Sequence, residues 1–101
     1  MRSCCMDKNS PTEVQDNVEA SRFELDCGSG QIAFAPYRRE GGVLTVPYSE
    51  VPRALRGKGF GEKLILGLLA HARAEGLKVR PLCSFVDAVM RRHKEYSDLR
   101  A

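Results

Sequence analysis

No stretch of this chain is apolar for long enough to cross a bilayer: the longest mainly apolar run, Leu64 to Ala70, falls far short of the roughly 20 residues a membrane helix needs. The first residues bring one arginine, two adjacent cysteines and then polar side chains, with no apolar segment of signal-peptide type, so a reducing, cytoplasmic setting is expected. The four cysteines, at positions 4, 5, 27 and 83, show no C-x-x-C spacing and only two histidines accompany them. That argues for thiols and for no metal site. A net charge of +3 without a dense basic face and its aromatic stacking partners makes a nucleic-acid partner a poor fit. No internal repeat is present.

What remains is a chain of 101 residues, 43% hydrophobic and 29% charged, which is the composition of a single globular domain. Residues 1–20 mix Asp, Asn, Ser, Lys, Glu and Pro and read as a mobile tail, with fixed structure from about Val18 and the domain proper over residues 21–101. Cys4 and Cys5 then read as two thiols in that tail. Arg22 to Cys27 alternates polar and apolar as a half-buried strand does, and Gly28-Ser29-Gly30 turns the chain into a second strand, Gln31 to Arg38. Glu40-Gly41-Gly42 turns it again into Val43 to Val51, giving an antiparallel meander. Pro47 interrupts that third run and leaves one side of it locally unpaired.

A helix is predicted from about Gly59 to Glu75, with Phe60, Leu64 and Leu68 on one stripe, Gly76 as its C′ residue, and Gly67 placed for close packing on a sheet. Leu77 to Leu82 is a fourth strand, parallel to the third because a helix joins them. Ser84 reads as the N-cap of a second helix, with Asp87 completing a capping arrangement. Tyr96 and Leu99 are placed to tuck back onto the core. The class is α+β: a small mixed sheet, mostly antiparallel with one parallel pair, and two helices.

The chemistry concentrates at Arg56-Gly57-Lys58-Gly59-Phe60-Gly61, a glycine-rich turn that opens the first helix. Glycines let a ligand approach the backbone, the free N–H groups of the first helical turn favour an anion, and Arg53, Arg56, Lys58 and Lys63 outweigh the single Glu62. A P-loop is excluded because Leu64, not a hydroxyl residue, follows Lys63. A dinucleotide fingerprint is excluded because the spacing is G-x-G-x-G and Lys78, Val79 and Arg80 stand where an acid should. A pyrophosphate cradle or a plain tight helix start remains.

The pattern R-x-x-G-x-G on Arg56, Gly59 and Gly61, with Glu50-Val51-Pro52 before it and Leu82-Cys83-Ser84 after the fourth strand, resembles the GNAT superfamily of N-acetyltransferases, in particular its small single-domain YjdJ-type members. The resemblance covers about Arg22 to Leu99. It implies a minimal GNAT-like fold that binds acetyl-CoA between two splayed parallel strands and passes acetyl to an amine. Arg56, Gly57, Lys58, Gly59, Phe60 and Gly61 would then take the pyrophosphate, and the Val51 backbone the pantetheine arm. Cys83, ahead of a helix N-terminus that favours a thiolate, stands as acetyl acceptor, as a thiol lining the pocket or as a packing residue. Glu50 stands as general base or as an exposed strand-end charge. Where the family commonly reads His-Thr-Glu-Val-Pro, this chain has Tyr48-Ser49-Glu50-Val51-Pro52, without the histidine. His93 and Tyr96 are candidates for the cofactor's edge or for a helix end and core packing. The alternative function is a non-catalytic module of the same fold that binds CoA or a protein partner. The acceptor is a protein or a small amine, and a monomer or weak homodimer is expected.

Overall fold

The computed structural model describes residues 14–28 and 30–101. The strands are β1 (Val14–Asn17), β2 (Arg22–Gly28), β3 (Gln31–Pro36), β4 (Arg38–Glu40), β5 (Val43–Val46) and β6 (Lys78–Pro81); the helices are α1 (Phe60–Ala74) and α2 (Ser84–Arg92). Two three-stranded sheets result, ordered β1-β2-β3 and β4-β5-β6, antiparallel throughout except for the β5–β6 pair. The expected class and the expected parallel pair are both present. No helix among the described residues is long and apolar enough to cross a membrane.

Among the described residues a single bridge joins the two sheets. Phe34 and Glu50 exchange both backbone hydrogen bonds, at 2.9 and 2.8 Å, and so join β3 to the chain that continues from β5. Extending the β4–β5 register from the Arg38–Thr45 pair would put Ser49 opposite Phe34, yet Glu50 stands there. The arm from Val46 to Glu50 therefore holds one extra residue, a bulge around Pro47. The meander read from the sequence is this hairpin, bent where Tyr37 faces the bulge.

The inward face follows the strand alternation. Phe23, Leu25, Ala33, Ala35, Leu44, Val46 and Val79 are buried against Leu64, Ile65, Leu68, Leu69 and Ala72 of α1, with Val86, Val89 and Met90 of α2 beside them. Helix α1 ends as the glycine at 76 requires. Gly76 has φ +71°, its N–H reaches Arg73 O at 3.2 Å, and the Leu77 N–H reaches Ala72 O at 2.8 Å, the paired bonds of a Schellman motif. Lys94–Leu99 form a 3-10 segment that buries Leu99, after which Arg100 bridges Val79 in parallel and the Ala101 N–H donates to Val79 O at 2.9 Å.

Strand β1 corrects the expectation of no fixed fold before Val18; what was expected of residues 1–13, Cys4 and Cys5 included, lies outside the described residues. Val14 alone could not announce a strand, because its partner is an absence of side chain elsewhere: a Cβ built on Gly67 would lie 2.3 Å from Val14 Cγ2. The mid-helix glycine is the socket for that valine, which is 1% exposed. Tyr37 ties β1 a second time, its hydroxyl donating to Asp16 Oδ1 at 2.6 Å. Burial, followed by that carboxylate, raises the Tyr37 pKa from the usual 10.0 to about 12.

Two outcomes follow. Gly67→Ala should lower stability by about 1 to 3 kcal/mol in denaturant melts, as overpacking does, and adding Val14→Ala should recover part of that loss; equal stability of Gly67→Ala and wild type would remove the socket account. The unfolded chain releases the Tyr37 proton near pH 10 and the folded chain near 12, so its contribution is complete below pH 10 and is lost as pH rises toward 12. Alkaline melts of Tyr37→Phe should accordingly fall less steeply over that window than those of wild type.

Candidate active site

Strands β5 and β6 stay paired only as far as Val46 and Pro81. Beyond that point the Leu82 and Cys83 N–H groups both turn back to the Val46 carbonyl, at 3.1 and 3.0 Å, while the other strand leaves through Pro47 to reach Phe34. The two chains part and a wedge opens between them. Backbone groups alternate along a strand, so with Glu50 bonded to Phe34 the N–H and C=O groups of Ser49 and Val51 face the wedge.

The turn closes one end of it. After Pro52 a 3-10 turn, Arg53–Leu55, carries the chain to Arg56, whose Nε donates to the Val51 carbonyl at 3.3 Å and fixes the guanidinium beside the strand. Gly57 and Gly59 take φ of +82° and +89° with open space where a side chain would stand. Gly59 is the N-cap of α1 and no side chain among the described residues caps it, and the first N–H groups of the helix have no acceptor within the helix. Gly61 is tight for a different reason: a Cβ there would lie 3.1 Å from two carbons of the Phe85 ring and 3.3 Å from Val51 Cγ2. The result is a cleft of about 460 Å³ bounded by Ser49 and Val51, by Arg56 and the three glycines, and by Glu62 and Phe85.

The sequence profile of the GCN5-related N-acetyl-transferase family matches residues 22–99. The chain belongs to that family. The NMR solution structure of a GCN5-like protein from Staphylococcus aureus has the same fold, with a TM-score of 0.67 at 24% identity over 91% of this chain and 90% of that one. No curated protein matches the chain in sequence.

Within this acetyltransferase-family fold, Val51, Arg56, Gly57, Gly59 and Gly61 lie together on the cleft. Lys58 is exposed on the same turn, and Phe60 packs its ring against the core, leaving its backbone to the turn. Cys83 stands at the mouth of the wedge, its Sγ 3.7 Å from the Ser49 hydroxyl oxygen. Glu50 is not part of that group. Ser49 and Val51 face the cleft, so the side chain between them faces the other way, where it is exposed.

The capping expectation for α2 is corrected. Cys83 is the N-cap, held extended at φ −80° and ψ 128° by the bond to Val46, and Ser84 is the first helical residue. Asp87 caps nothing; it accepts from Arg100 at 2.7 Å and from Arg91 at 3.1 Å, which lowers its pKa. Neither His93 nor Tyr96 lines the cleft. His93 Nε2 stands 2.5 Å from Glu62 Oε2, and Tyr96 packs on the core beneath the Arg73 guanidinium. Ser49 and Phe85 were missed. Strand alternation from Val51 would have found Ser49, whereas nothing local distinguishes Phe85 from the other apolar residues of α2.

Gly59→Ala should cost about 1 to 2 kcal/mol through left-handed backbone strain alone, since no atom of the described residues lies within 4 Å of the added Cβ. Chemical denaturation measures this, and an unchanged midpoint would mean that the turn relaxes freely.

Proposed function

We propose that this protein is an acetyl-CoA-dependent N-acetyltransferase that binds the coenzyme in the wedge and passes its acetyl group to an amine. The observation that carries the reading is the uncapped, glycine-lined start of α1 opening onto the same cleft as the freed backbone edge of Ser49 and Val51. One part offers donors to a pyrophosphate, the other offers amide partners to an extended pantetheine arm. The open space over Gly57 and Gly59, and the absence of a Cβ at Gly61, leave room for such a group.

Acetyl-CoA supplies an activated acetyl thioester. In this reading the N–H groups from Gly57 to Gly61 receive the pyrophosphate with the first-turn dipole behind them, and Arg56 and Lys58 add charge. Ser49 and Val51 align the arm. Cys83 and the Ser49 hydroxyl flank the wedge where the strands part. Glu50, on the far face of the same strand segment, takes the proton of an amine arriving from the side away from the glycine turn. Cys83 serves either as wall or as transient acetyl acceptor, its sulfur bonding the acetyl carbon as the CoA sulfur leaves with the electron pair and a proton.

A second reading, a CoA-binding module without turnover, is favoured by one feature. Strands β2 and β3 are joined by a tight connection between Gly28 and Gln31, so no helix stands between them to wall an acceptor pocket.

Calorimetry with CoA and acetyl-CoA tests the common ground of both readings, and Arg56→Ala should weaken binding about tenfold, the value of one charge-assisted hydrogen bond. No heat with either ligand at millimolar concentration would dismiss both. Amine-dependent release of free CoA then separates enzyme from module, and intact-mass analysis under rapid quench shows whether Cys83 carries acetyl.

A further inference from the structure

The first turn of α1 offers its N–H groups to an anion, and the chain carries an anion of its own in that same turn. Glu62 is the third residue after the N-cap, the position whose carboxylate in a capping box folds back onto the N-cap N–H. Folded back, it would occupy the donors of the glycine turn, where the helix dipole also favours it. It lines the cleft from one side, with Gly59, Gly61 and Arg56 around it.

The carboxylate is turned to the end of α2 instead. Its Oε2 lies 2.5 Å from His93 Nε2 and its Oε1 accepts from the Arg92 guanidinium at 3.1 Å. These two residues are the C-terminal end of α2: Arg92 is its last residue and His93 its C-cap. The other His93 nitrogen, Nδ1, faces Glu95 at 3.8 Å, and Phe85 at the opposite end of α2 rests on Gly61. Helix α2 thus touches the first turn of α1 at both ends, once as a wall and once as a restraint. Side-chain exposures of 36% for Glu62 and 27% for His93 keep that restraint within reach of solvent. The pKa of Glu62 is lowered chiefly by the His93 hydrogen bond, in keeping with a carboxylate held in its charged form.

We propose that Glu62 is a built-in competitor for the anion cradle and that Arg92 and His93 are positioning residues that hold it off, so that the end of α2 sets the affinity for the incoming phosphates. This rests on the reading of the cradle as a CoA site. The competing group is one charge at a helix N-terminus, so its release should weaken anion binding by about two- to fivefold.

Titration of CoA into the full-length protein, by calorimetry, decides the matter with four chains: wild type, E62Q, R92A/H93A and E62Q/R92A/H93A. E62Q should bind CoA at least as tightly as wild type, R92A/H93A more weakly, and the triple variant should return to the wild-type value or better. A merely structural role for the pair predicts the reverse for the last chain, which would stay as weak as R92A/H93A. That outcome overturns the proposal, as does weaker binding by E62Q alone or unchanged binding by R92A/H93A. Thermal melts accompany each titration, and if R92A/H93A fails to fold, R92A and E62Q/R92A take its place with the same order expected: R92A weaker than wild type, E62Q/R92A restored, and a double variant as weak as R92A overturning the proposal. Absence of CoA binding by wild type marks the failure of the CoA reading itself and is distinct from all of these.

Discussion

Pro47 cannot donate a ladder hydrogen bond, and the arm that contains it is one residue longer than its partner requires. From that local mismatch the working architecture follows. The missing donor falls on the β4 side of the strand, because Gly42 and Val46 are the residues bonded to β6; past Val46 the chain swings to β3 through the extra residue, and the Val46 carbonyl receives both N–H groups of Leu82 and Cys83. A regular strand here would have continued the β5–β6 pair and filled the wedge with backbone hydrogen bonds. The extra residue also decides which side chains face the opening, because it shifts the alternation that puts Ser49 and Val51 on one side and Glu50 on the other.

The wedge becomes a usable cleft only because α1 begins at its mouth. The helix start is short of capping side chains and rich in positive φ, a locally unfavourable way to begin a helix that the apolar stripe from Leu64 to Ala72 offsets by burial. Stability is thus drawn from the far turns of α1 and spent as openness in its first one. Helix α2 completes the arrangement from the opposite strand: Cys83 at its start stands beside Ser49, and His93 at its end holds Glu62, which lines the cleft.

Much of this was legible in residue order. Gly76 announced the end of α1, the strand–helix–strand order announced the parallel pair, and Pro47 announced an interrupted strand. The glycine turn was legible because φ above zero restricts residue choice to glycine at Gly57 and Gly59. What could not be read was pairwise. Strand β1 depends on Val14 meeting Gly67 across the sheet–helix interface, which neither residue signals alone. The separation of Glu50 from Cys83 depends on a one-residue register shift, invisible in a sequence where Glu50-Val51-Pro52 looks like a single motif. Ser84 had the better capping chemistry, yet the hydrogen bond of Cys83 to Val46 fixed the cap one residue earlier, a case of tertiary pairing overriding local propensity.

The bridge from Arg100 to Val79 has a consequence for behaviour in crowded solution. Strand β6 carries Lys78 to Pro81 with one side paired to β5, and its other side would offer free N–H and C=O groups to any extended chain that drifted past. Exposed edges of this kind template edge-to-edge association between molecules. Arg100 lies beside Val79 on that edge and the Ala101 N–H takes up the Val79 carbonyl, so a short irregular segment stands where a charged gatekeeper or a further strand stands elsewhere. The open edge of β6 is therefore partly covered by residues that belong to neither sheet.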